Sequence, residues 1–96
     1  MEPSNQTAAI SGQWCLVTVR PWKRETFLKY LNSDIQRNNL QEIFLEIIAP
    51  EESIYQDMVL IRNSNFVEAR NHLQQIEHFQ GIQRLKPNEA SRMLNK

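Results

Sequence analysis

This chain has little that would support covalent or metal chemistry. Its single cysteine, Cys15, excludes an internal disulfide and a Cys-rich metal site. Lys and Arg number 11 against 11 Asp and Glu, so the chain carries no formal net charge. The broad basic footprint of a protein held to nucleic acid by phosphate contacts is therefore missing. A small basic patch stays open, because the Lys and Arg are unevenly spread. No apolar run approaches the roughly 20 residues of a membrane span. The opening MEPSNQTAAISG has neither a basic n-region nor a continuous apolar h-region, so it does not read as a secretory signal. With a lone cysteine, a reducing, cytoplasmic setting is the expectation, with no membrane partner. No nucleophile–base pair and no metal set stands out. An enzyme is the least expected class, and no cofactor is expected.

What is present is a change of hydrophobic period, repeated five times between Trp14 and Leu85. At 96 residues the chain is one domain. Chains of this size bury only about 60–65% of their unfolded surface, so the core must be efficient. Residues 1–13 are small and polar and read as a disordered lead; residues 14–96 read as a single α+β domain. Trp14 to Val19 is apolar on both sides, as in a central strand, and Arg20-Pro21 ends it. Lys23 to Gln36 has helical spacing, with Phe27, Leu28, Leu31 and Ile35 on one stripe. Asn38-Asn39 stops it, since Asn tolerates a left-handed conformation. Glu42 to Ala49 is a second strand, and a third runs from Tyr55 or Met58 to Arg62. The short break between them predicts antiparallel pairing. Asn65, with Glu68 three residues on, has capping-box spacing ahead of a helix from Phe66 to His78. Gly81 is placed to end that helix with a positive φ, and Ile82 to Leu85 is a fourth strand. After Pro87, a last helical turn holds Met93 and Leu94. The expected fold is a four-stranded antiparallel sheet with packed helices, in β-α-β-β-α-β order.

Four stretches, taken in order, resemble the N-terminal domain of the NusG family of transcription elongation factors. The first is Trp14-Cys15-Leu16-Val17-Thr18-Val19 with Arg20-Pro21-Trp22-Lys23-Arg24-Glu25; the family usually has Gly where Trp22 stands. The second is Phe44 to Glu52, ending in Ile47-Ile48-Ala49-Pro50-Glu51-Glu52. The third is Tyr55-Gln56-Asp57-Met58-Val59-Leu60-Ile61, where Gln56, Asp57 and Met58 replace the family's Pro, Gly and Tyr. The fourth is Ile76-Glu77-His78-Phe79-Gln80-Gly81-Ile82. Pro87 to Leu94 is similar to the family's closing helix. The resemblance spans roughly Gln13 to Leu94. The family normally continues into a small β-barrel domain; here the expectation is a domain standing alone without that barrel, and the sequence leaves open a separate protein partner that supplies it.

The resemblance implies a non-enzymatic factor of elongation or antitermination that binds the clamp of RNA polymerase. It implies Ile54, Tyr55 and Met58 as partner-binding residues, with Trp22 on the adjacent turn. From the residues alone, Ile54 and Met58 read equally well as core and Tyr55 as a strand-edge residue. Trp22 reads either as a cap over the first helix or as an exposed contact. Arg20, Lys23 and Arg24, with Lys29, would touch nucleic acid near the polymerase, or form a solvated helix face interrupted by Glu25. His72 and His78, spaced i, i+6, face opposite sides of a helix and read as surface residues. Glu51 and Glu52 read as a solvated turn. Two other classes compete: a small RNA-binding sheet, and a ligand-binding or dimerising sheet domain. The first would want an aromatic, Gly-rich strand motif, and the second a Gly-bearing loop after the first strand.

Overall fold

The computed structural model of the protein describes residues 12–94. All but Gly12 and Gln13 of the expected disordered lead lies outside the described residues. Seven regular elements follow in the order β1 (Gln13–Val19), α1 (Arg24–Asn38), β2 (Phe44–Ile48), β3 (Met58–Asn63), α2 (Phe66–Leu73), β4 (Phe79–Arg84) and α3 (Pro87–Leu94). A three-residue 3-10 turn, Ser53–Tyr55, precedes β3. The fold is α+β, with one four-stranded antiparallel sheet in the order β2-β3-β1-β4. It exceeds the expected β-α-β-β-α-β order by α3, whose eight residues form a full helix where one turn was expected.

The central strands set the register. β1 and β3 pair from Gln13 opposite Asn63 to Thr18 opposite Met58. β2 joins β3 antiparallel, as the short break between them implies, with an irregularity between Phe44 and Glu46. Strand alternation then separates two faces. On one face Cys15, Val17, Val19, Val59 and Ile61 meet Phe27, Leu31 and Ile35 of α1 and Ala69 and Leu73 of α2. Leu60 points the other way and is equally buried, as is Ala90 of α3. α3 lies against β1 there and covers part of that face, while Glu46 of β2 and Gln83 of β4 on the same side stay exposed.

Local chemistry explains most helix ends. Asn39 closes α1 in the left-handed conformation, at φ 56° and ψ 52°. The Asn65 side chain accepts the Glu68 backbone N–H at 3.1 Å and starts α2. α2 itself ends at Leu73, five residues before the expected His78. Its apolar stripe continues because Gln75 N–H and Ile76 N–H bond back three residues, to His72 and Leu73. That tighter winding keeps Ile76 buried without an α-helix. The expected positive φ at Gly81 is not found. His78 takes that role at φ 78°, because β4 begins earlier than expected, at Phe79. Gly81 lies inside β4, opposite Thr18.

Candidate protein-docking surface

One end of the sheet gathers the connections that leave β1 and β2 and enter β3 and β4. The first is a four-residue turn closed by the Lys23 N–H bonding to the Arg20 carbonyl at 3.0 Å. Pro21 is its second residue and Trp22 its third. Trp22 has φ 68°. A left-handed third residue after Pro is the signature of a type II turn, whose third place normally takes Gly or Asn. A bulky side chain there is a true outlier and costs about 1–3 kcal/mol. The Trp22 N–H is held by an Asp57 carboxylate oxygen at 3.3 Å, and the Asp57 carbonyl accepts the Val19 N–H at 2.9 Å. The turn is thereby tied to the residue that leads into β3. The indole gains nothing from this: Trp22 is 84% exposed, so it does not cap α1.

Beside it runs the segment from Pro50 to Asp57. Ile54, in the 3-10 turn, is 72% exposed, while Tyr55 and Met58 are half-buried. Arg24, the first residue of α1, fixes this segment from below. Its Nη1 donates to the carbonyls of Pro50 at 2.8 Å, Tyr55 at 3.0 Å and Met58 at 3.2 Å. One guanidinium nitrogen shared among three carbonyls holds the loop against the helix, and Ile54 is left facing outward.

The expected basic cluster is divided by this arrangement. Arg24 turns inward and acts as a clamp. Arg20 and Lys23 stay exposed on either side of Trp22. Lys29 faces a different groove, shared with Tyr30, Arg37 and Glu77. Glu51 and Glu52 are exposed in the loop, as a solvated turn should be. Asp57 and the inward role of Arg24 were not legible as site features. The Pro21-Trp22 pair carried a readable signal only for a turn, since Pro suits the second place of both common turn types and leaves the conformation of the third open.

Neither histidine is the plain surface residue expected. Both are half-buried: His72 meets the Phe44 ring edge-on at 6.3 Å, and His78 keeps its Nδ1 buried without a partner. Among the described residues no group of His, Cys, Asp and Glu is placed to hold a metal ion. Cys15 is fully buried, and desolvation pushes its thiol up from 9.0 to about 12, a rise partly offset by its hydrogen bond with Asn63. So high a value leaves almost no thiolate at neutral pH. Among the described residues no helix is long and apolar enough to cross a membrane. Set against known proteins, the chain matches no family model and no curated protein.

Proposed function

We propose that this is a non-enzymatic docking domain of the NusG type, which binds the clamp of RNA polymerase in elongation or antitermination from the cytoplasm. The observation that carries the reading is the pair of large apolar side chains, Trp22 and Ile54, left in solvent at one end of the sheet. The four-stretch resemblance matches Ile54 to the family's polymerase contacts and sets Trp22 beside them. Two further features support it. The position where the family usually has Gly is the one that takes φ 68° here. The Arg24 clamp gives Ile54 and Tyr55 a fixed platform, and rigid anchors bind with less ordering cost. The RNA-binding alternative gains no support. A base-stacking sheet needs an open face with aromatic side chains, and on the face opposite α1 and α2 the central strand β1 is covered by α3.

The test is a titration of purified RNA polymerase, or its clamp fragment, with wild type, Ile54→Ala and Tyr55→Ala. Each variant is expected to weaken binding by about 2 kcal/mol, the scale of an interface hot spot. Thermal melts should show Ile54→Ala folding as wild type does. Absence of wild-type binding would move the reading to a ligand-binding or dimerising domain.

A further inference from the structure

At the end of the sheet away from Trp22, the start of β1, the end of β4 and the start of α2 border a cavity of about 470 Å³, a size that suits a small organic molecule. Arg84, Phe66, Val67 and Asn63 are among its walls. Arg84 is exposed, and its guanidinium carbon sits 4.5 Å from the centre of the Phe66 ring. That contact positions the cation without using its N–H donors, and among the described residues no acceptor takes them. Phe66 and Val67 open α2, and their backbone N–H groups are uncapped. The Asn65 side chain accepts that of Glu68 instead, and the Asn65 carbonyl that of Ala69. Asn63 adds a demand of the opposite sense. It is fully buried, and its Nδ2 donates to the Gln13 carbonyl at 3.1 Å and the Cys15 Sγ at 3.5 Å. Its Oδ1 has no partner, and buried acceptors are seldom left unfilled.

We infer that this cavity binds a small organic monocarboxylate with an apolar body and a hydroxyl or amino group beside the carboxylate. Arg84 and the first N–H groups of α2 take the carboxylate. Phe66 and Val67, the latter 53% exposed, face the apolar body. Asn63 Oδ1 accepts from the neighbouring donor. Charge selects the class. Arg84 is the one charged residue in the wall, so it matches a single negative charge and would leave a phosphate dianion half paired. The first-turn acids of the flanking helices, Glu68 and Glu89, do not line the cavity, and the Glu89 carboxylate accepts the Lys86 N–H at 2.9 Å. An adjoining cavity of about 440 Å³, lined by Trp14 and Leu85, shares Gly12, Gln13 and Arg84 and has room for a longer body. The site stands apart from Trp22 and Ile54, and its occupancy does not require polymerase.

The experiment is an NMR titration of the isotope-labelled full chain, without polymerase. The probes are α-hydroxyisocaproate, isocaproate, α-hydroxyisocaproamide and inorganic phosphate. α-Hydroxyisocaproate should bind with a Kd of about 1 mM or tighter and shift the Phe66, Val67 and Arg84 amides. Isocaproate lacks the donor and should bind about threefold more weakly; the amide lacks the charge and should bind about tenfold more weakly. Arg84→Gln should weaken binding about tenfold or more. Val67→Glu sets a carboxylate in the cavity and should abolish the shifts. Both side chains are exposed, so both variants should melt as wild type does. Failure of every carboxylate to shift these amides at about 10 mM would overturn the inference. Phosphate binding as tightly as α-hydroxyisocaproate, or indifference to Arg84→Gln, would do the same. Equal binding by isocaproate would overturn the role given to Asn63. The polymerase titration stands or falls separately from all of these.

Discussion

The two ends of the sheet meet the same backbone demand with different residues. At the end where β1 and β2 begin, positive φ falls on Gly12, at 53°, and on Asn39, at 56°. Both residue types adopt that region readily. Gly12 is also needed for space, since a Cβ there would come within 2.9 Å of the Asn63 carbonyl oxygen. Ser64 and Asn65 complete this end with ordinary turn and cap bonds, to the Glu42 carbonyl and from the Glu68 N–H. At the opposite end positive φ falls on Trp22 and His78. There Ile54 stands in solvent as well, and an arginine lies inward. One end places its positive φ at Gly and Asn, which adopt that conformation readily. The other departs from it in several ways at once, and such departures gather where a protein makes contacts.

Substitutions can break or sharpen that contrast. The largest effect should come from the core that both ends share. Leu31 and Leu73 are fully buried in it. Truncation of either to Ala should cost about 2–5 kcal/mol, read by chemical denaturation, and should loosen both ends together. A loss confined to one end, seen as locally accelerated amide exchange, would show that the domain is not one cooperative unit.

Arg24→Ala should come next, at about 2–3 kcal/mol, because three carbonyl contacts lose a charged donor. Amide exchange should rise around residues 50–58 and stay as in wild type at Gly12 and Asn65. Equal change at the two ends would remove the distinction drawn here.

The smallest pair of effects should have opposite signs. Gly12→Ala is expected to destabilise by about 1–2 kcal/mol, since it meets both a left-handed φ and a close carbonyl. Trp22→Gly relieves the same φ with no core contact to lose and should stabilise by about 0.5–1 kcal/mol. Two losses, measured by equilibrium denaturation, would mean that Trp22 is as structural as Gly12.

Much of this molecule was legible from neighbouring residues alone. The apolar stripe of Phe27, Leu31 and Ile35 is buried as its spacing implies. Asn39 and Asn65 take the cap roles their chemistry suits. The short break after β2 forced the antiparallel pairing with β3. Each of these depends on groups within a few positions along the chain, and periodicity and capping act on that scale. Elements with looser local signals were misplaced. α2 stops early because a tighter turn buries Ile76 equally well, and Gly81 resembles a helix terminator until β4 is seen to begin before it. The site depended on distance along the chain. Arg24 looks like any surface cation at a helix start. Its destination is set by carbonyls 26 to 34 residues away, which only the folded sheet brings beneath α1. Trp22 was equally ambiguous between packed cap and exposed contact. Tertiary structure decided it, because the turn is tied to Asp57 across 35 residues and the indole is thereby pointed into solvent.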